Sequence, residues 1–256
     1  MKIAICFSGQ PRFVKECYPG IKNNILDPNS ENEIDIFVHT WYSDDIAGKV
    51  LYGNEISSFS GEAKIDNGII KEIQDLYSPK RLEFDAPKKF ISDIDFSRVA
   101  EKYFAGYVNS GMSKDDFCNI KVENLYSMWY SAMKCNLLKR EHELTHDKRY
   151  DMVIKLRFDN ICRSRIILKD MDPEFMHYHS LGQPDGMISD WINISSSANM
   201  DTYFSIFFNI KNLIKSLEKT LGVFCSELFI KEVCQKFNIP TQGHNFGIEL
   251  PKWGKL

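Results

Sequence analysis

Strand-length apolar runs alternate with helix-period stretches through residues 1–160, and this alternation constrains the fold more than any other property of the chain. Ile3-Ala4-Ile5-Cys6-Phe7 is apolar throughout and gives way at once to turn chemistry at Ser8-Gly9-Gln10-Pro11. An uninterrupted apolar run of that length suits a strand covered on both faces, as in a parallel sheet. Helical sequence is expected from about 13 to 25, interrupted at Pro19-Gly20, then a strand over 34–41, a loop over 42–60, a helix over 67–77 and a strand over 80–84. Residues 86–119 read as an insertion with local helix. A long helix follows over 121–144, its apolar stripe formed by Leu125, Met128, Trp129, Ala132 and Met133. The run 151–159 is the next strand. Beyond it, strands are expected near 177–179, 186–190 and 241–249, with helices near 198–217 and 225–237.

Repeated strand–helix–strand units fold as parallel βαβ crossovers, so the expected class is α/β: a Rossmann-like αβα sandwich with a mostly parallel central sheet. In such sheets the ligand crevice lies beyond the carboxyl ends of the strands. That rule selects 8–12, 39–45, the segment from Asp85 onward and 157–159 as candidate site elements.

Each element carries distinct chemistry. Gly9 permits close backbone approach to a ligand, and Arg12 offers a permanently charged planar fork for phosphate or carboxylate. The loop is neither a dinucleotide fingerprint nor a Walker loop, because G-x-G-x-x-G and G-K-[ST] are absent. His39 and Trp41 share one face at the end of their strand, and Trp41 suits stacking on a base or a sugar. Asp44-Asp45 reads better as a solvated pair than as metal ligands. Arg157-Phe158-Asp159 is the strongest local signal: an arginine to neutralise phosphates and a carboxylate able to hold Mg²⁺ or Mn²⁺ at one strand end. Arg163 and Arg165 follow as further cations. His177 and His179 lack neighbours that complete a zinc tetrahedron, and His142 with His146 lies in a strongly charged stretch, 139–148, that reads as a solvated helix end.

Composition excludes several classes. The 256 residues carry 32 basic against 35 acidic side chains, a net charge of −3, which leaves no basic footprint for duplex nucleic acid. Seven cysteines, never in Cys-x-x-Cys spacing, argue for reduced, mostly buried thiols in a cytoplasmic compartment rather than a disulfide framework. No apolar run is long enough for a transmembrane segment. No heptad pattern identifies an oligomeric interface.

Four segments in order, residues 2–12, 35–41, 127–134 and 150–159, together with 189–195, 200–203 and 226–229, carry a family resemblance. The set resembles the small bacterial and large-virus glycan-biosynthesis proteins of the nucleotide-diphospho-sugar transferase (GT-A-like) type. The resemblance covers most of the chain, leaving 42–60 and 86–119 unmatched. It implies one GT-A-like domain over 1–256, with a nucleotide-sugar-binding half at 1–160 and an acceptor-binding half at 161–256.

By that resemblance, Arg157-Phe158-Asp159 stands where such enzymes carry Asp-x-Asp, with Arg157 in place of the first acid. Two readings stay open: Mn²⁺ or Mg²⁺ held by Asp159 with the late His244, or a metal-independent site in which Arg157 supplies part of the charge. Ser8, Gly9, Arg12, His39, Arg157 and Asp159 are the expected nucleotide and diphosphate contacts. Trp41 and Trp191 are the expected acceptor platforms, and Asp190 and Glu227 are the two candidates for the base. The implied activity is transfer of a sugar from a nucleotide-sugar donor to a glycan or glycolipid acceptor in surface or capsular polysaccharide biosynthesis, in the cytoplasm or at the inner face of the membrane. The alternatives are a non-catalytic glycan- or nucleotide-binding module and a sugar-phosphate nucleotidyltransferase.

Overall fold

Lys2–Gly9 forms strand β1, which pairs in parallel with β2 (Glu33–Trp41) on one side and β4 (Met152–Leu156) on the other. The computed structural model of the chain describes residues 1–46, 65–90, 113–180, 186–221 and 223–251. Within them β3 (Arg81–Asp85) extends the sheet beyond β2. On the far side β7 (Ile192–Ser195) runs antiparallel to β4, followed by β6 (Met176–His179) and β8 (Thr241–His244). The described residues thus form a seven-stranded sheet of order β3-β2-β1-β4-β7-β6-β8, in which β7 alone is reversed. A small antiparallel ribbon joins β5 (Ile161–Cys162) to β9 (Ile248–Glu249).

Strand periodicity sorts the core into two layers. Ile3, Ile5 and Phe7 face α1 (Val14–Ile21) and α2 (Ile69–Tyr77), meeting Val14, Ile21 and Ile73. Ala4 and Cys6 face the other way, onto Trp129, Ala132 and Cys135 of α3 (Lys114–Thr145). That second layer is completed by α4 (Ser197–Phe204), α5 (Ile206–Thr220) and α6 (Ser226–Lys236). Helices on both faces of a mostly parallel sheet make the expected αβα sandwich. Each large apolar side chain buried between layers stabilises it by about 1.5–3 kcal/mol. The two-sided cover explains why β1 and β4 read as unbroken apolar runs.

Some boundaries differ from expectation. The strand expected over 186–190 lies instead at Ile192–Ser195, because Ser189 and Asp190 form a hydrogen-bonded corner and the alternating Ile-Asn-Ile-Ser takes the ladder. The helix expected over 198–217 breaks at Ser205, whose hydroxyl bonds the Thr202 carbonyl at 2.7 Å. Gly247, at φ 59°, separates β8 from β9 in the run expected as one strand. The charged end of α3 is not all solvated. Lys139 and Glu143 are buried and tie α3 to α4 through Ser197 and Asp201. Residues 47–60 of the expected loop and 91–112 of the expected insertion lie outside the described residues.

Candidate active site at the carboxyl edge of the sheet

Strand register brings the candidates to one edge. Gly9 lies beside Thr40, Trp41 beside Asp85, and Phe7 beside Leu156, the last residue of β4. Because β7 is reversed, Asp190 and Trp191 reach the same edge just before their strand begins. Glu227 stands in the first turn of α6, and His179 pairs with His244 at the ends of β6 and β8.

The centre is an ion cluster on Asp159. Phe158 turns into the core and stacks on Phe7, with ring centroids 5.2 Å apart. Its anchoring leaves Arg157 and Asp159, one residue to either side, free to meet. Arg157 binds Asp159 through both Nε and Nη2 at 2.8 Å, and Arg12 donates Nη2 to the same carboxylate at 2.9 Å. Burial pushes the Asp159 carboxyl upward, but Arg157 and Arg12 outweigh it and bring it down to about 2. The carboxylate side chain is 8% exposed, whereas the Arg12 and Arg157 side chains are 20% and 22% exposed, so the acid lies beneath its two cations. Arg12 Nε is buried and has no hydrogen-bond partner among the described residues.

A second element is a pinned corner carrying Asp190. Three successive carbonyls are each held by a side chain. Asn193 Nδ2 donates to Ser189 at 2.9 Å, the Lys155 ammonium to Asp190, and Asn160 Nδ2 to Trp191 at 2.8 Å. Lys155 is only 2% exposed, and burial lowers its proton affinity to about 8 despite the pull of Asp190. Across the corner, burial and then the charge of Asp190 raise the proton affinity of Glu227. Asp190 and Glu227 are therefore electrostatic neighbours, and Glu227 holds a proton more strongly than an ordinary glutamate. Trp191 is half-buried and stacks on His179 with centroids 5.9 Å apart.

The third element supports rather than contacts. His39 is fully buried, with Nδ1 2.9 Å from Ser131 Oγ and Nε2 3.3 Å from Asp85 Oδ2. Burial lowers its proton affinity to about 4, so the ring is neutral at pH 7, and Ser131 Oγ also donates to the His39 main-chain carbonyl at 3.0 Å. Asp85 also accepts from Tyr130 Oη at 2.8 Å and pairs with Lys88 at 3.1 Å. The Ser131 oxygen accepts from Gly9 N–H at 2.8 Å and so positions the end of β1. Gly9 itself sits at φ 106°, a conformation open to glycine.

Several sequence expectations change against this geometry. His39 is not presented to the crevice and reaches a ligand only through Asp85. Trp41 is 3% exposed and lies against Tyr130 at 5.4 Å, so it is a core residue and no acceptor platform. Ser8 is likewise buried.

A divalent cation does not fit the residues present. Both Asp159 oxygens are engaged by guanidinium N–H groups, and His244 is hydrogen-bonded to His177 at 2.9 Å while stacking on Phe246. Among the described residues no group of three or more His, Cys, Asp or Glu is placed to hold a metal ion. Lys155, Asn160, Tyr130 and Ser131 hold the candidate site in place, and sequence reasoning missed them. Only Lys155 carried a signal, as the one charged residue inside a five-residue strand otherwise apolar from Met152 to Leu156.

No protein-family model and no curated protein matches the chain. Among solved structures it is similar to the galactosyltransferase LgtC in complex with donor and acceptor sugar analogs, with 12% identity and a TM-score of 0.42 over 94% of this chain and 73% of that one. The functional reading rests on the crevice residues themselves. No helix among the described residues is long and apolar enough to cross a membrane.

Proposed function

We propose that the chain is a glycosyltransferase, moving a sugar from a nucleotide-diphosphate donor to a glycan or glycolipid acceptor. The observation that carries this reading is the juxtaposition, at one edge of the sheet, of two guanidinium groups on Asp159 with the acid pair Asp190 and Glu227. Glycosyl transfer needs both: positive charge where the diphosphate departs, and a carboxylate where the acceptor hydroxyl loses its proton. In a single displacement the acceptor oxygen bonds to the anomeric carbon as the bond from that carbon to the phosphate oxygen breaks. The electron pair leaves with the diphosphate toward Arg12 and Arg157, and the proton passes to Asp190. Burial and the charge of Asp190 raise the proton affinity of Glu227, which supports Asp190 as the base of the pair.

The division of labour follows chain order. Arg12, Arg157 and Asp159 support donor binding by residues 1–160, while Asp190, Trp191 and Glu227 support acceptor binding by 161–256. Trp191 is the proposed platform for the acceptor ring. Assignment to surface or capsular polysaccharide synthesis, in the cytoplasm or peripherally at the inner face of a membrane, rests on the sequence resemblance. Free, mostly buried cysteines are consistent with a reducing compartment.

The test is turnover. The purified protein is incubated with a panel of nucleotide sugars and a mixed set of glycan acceptors, with and without Mn²⁺, and release of nucleoside diphosphate is measured. Acceptor-dependent release with at least one donor is expected. No release with any donor overturns the reading.

A further inference from the structure

We propose that the diphosphate of the donor is held by a fixed cluster of side-chain cations, Arg12 and Arg157 on Asp159 with Lys155 behind them, and that nucleotide binding therefore needs no divalent metal. This deepens the glycosyltransferase reading and rests on it.

Charge is the first argument. Arg12 and Arg157 against the single carboxylate of Asp159 leave one positive charge at the carboxyl end of β4, and Lys155 adds a second that Asp190 offsets in part. Lys155 links this cluster to the Asp190 corner, since it donates to the Asp190 carbonyl and feels Asp190 first and then Arg157 and Asp159. Among the described residues neither arginine has an ion pair other than Asp159. Keeping such an excess out of water is costly unless an anion completes it.

Geometry is the second argument. Asp159 is nearly covered while the Arg12 and Arg157 side chains keep about a fifth of their surface open, so the carboxylate is the most deeply placed of the three and orients both forks. Arg12 also retains a buried Nε–H with no partner among the described residues, an unspent donor of the kind a phosphate oxygen satisfies. A guanidinium fork matches two phosphate oxygens at once, and its charge does not depend on pH. A metal at the same place would have to displace hydrogen bonds of 2.8–2.9 Å from both arginines before it could reach Asp159. The arginine in place of the first acid is thus the metal's substitute.

The experiment measures binding rather than turnover. UDP, GDP, CDP, ADP and inorganic pyrophosphate are titrated against the full chain by calorimetry and thermal shift, once in excess EDTA and once in Mn²⁺. At least one nucleoside diphosphate is expected to bind with affinities in the two buffers that agree within about 2-fold, which is under 0.5 kcal/mol. Arg157→Ala is expected to weaken that binding by at least about 10-fold, and Arg157→Lys, which keeps the charge but not the fork, by less. Binding more than about 10-fold tighter in Mn²⁺ than in EDTA would overturn the metal-free cluster and leave the glycosyltransferase reading standing. Absence of binding in both buffers would remove that reading and the cluster with it. Should Arg157→Ala fail to fold, the two-buffer comparison on the unaltered protein decides alone.

Discussion

Lys155 donates its buried ammonium to the main-chain carbonyl of Asp190, so the proposed base is fixed through its own backbone by a charge inside the sheet. Burial has brought that ammonium from 10.5 down to about 8. At about 1.4 kcal/mol per pKa unit, keeping it charged costs the fold about 3 kcal/mol at pH 7. Removing it leaves a buried carbonyl unsatisfied, at about 1–3 kcal/mol. Lys155→Met is therefore expected to leave urea stability at pH 7 unchanged or raised by up to about 2 kcal/mol, while transfer falls at least about 10-fold as the Asp190 corner loosens. The lowered value favours the neutral amine in the folded state. Wild-type stability should accordingly rise relative to the variant as pH climbs from 8 toward 10.5, which paired urea curves at pH 7 and pH 10 will read.

Asp190 and Glu227 should separate on substitution. Asp190→Asn removes the proton acceptor and is expected to cut transfer by about 100-fold or more. Glu227→Gln removes a charge that burial and Asp190 already disfavour, and should keep activity at neutral pH within about 10-fold. Rates of nucleoside diphosphate release from one donor decide between them, and the reverse ranking would exchange their roles.

Acid should act on His39 before it acts on Asp159. Folding favours the neutral imidazole, whose proton affinity burial lowers from 6.5 to about 4. Its stabilisation is complete above pH 6.5 and fades as pH falls toward 4, a loss of about 3 kcal/mol. Asp159, lowered from 3.8 to about 2, gives up its share only below pH 4. Urea midpoints measured from pH 7 to pH 4.5 should drop in the wild type and drop markedly less in His39→Asn.

Gly9→Ala isolates backbone strain. A methyl group built there meets no atom within 4 Å, so the cost arises from φ 106° alone. About 1–2 kcal/mol of lost stability is expected, with no change in packing. A chemical denaturation curve measures it, and a loss below about 0.5 kcal/mol would mean that the loop relaxes away from Ser131.

Periodicity carried most of the fold because the sheet is covered on both faces, which makes β1 and β4 readable as apolar runs. It failed where tertiary hydrogen bonds chose the boundaries. Ser189 and Asp190 look like the end of a strand, yet their carbonyls are claimed by Asn193 and Lys155, and the ladder starts later. Strand-end geometry located Arg12, Arg157 and Asp159, but not that they would bind one another. That pairing depends on Phe158 packing against Phe7, a contact across 151 residues of sequence that no local pattern encodes. Ser131 and Tyr130 were illegible for a similar reason: beside Trp129 in a helical stripe, nothing distinguishes a hydroxyl that holds the carboxyl edge of the sheet from one in water.

Helix α3 gives that edge a mechanical character. Its 32 residues contain neither glycine nor proline, so the rod has no hinge of its own. Ser131 meets Gly9 at one level, and Glu143, locked with Lys139 against α4, lies about 18 Å further along the axis at 1.5 Å per residue. Any displacement of the β1 loop that carries Ser131 with it must be answered at that distant ionic lock, like a lever answered at its fulcrum. Rigidity at the crevice is thus borrowed from the carboxyl end of α3.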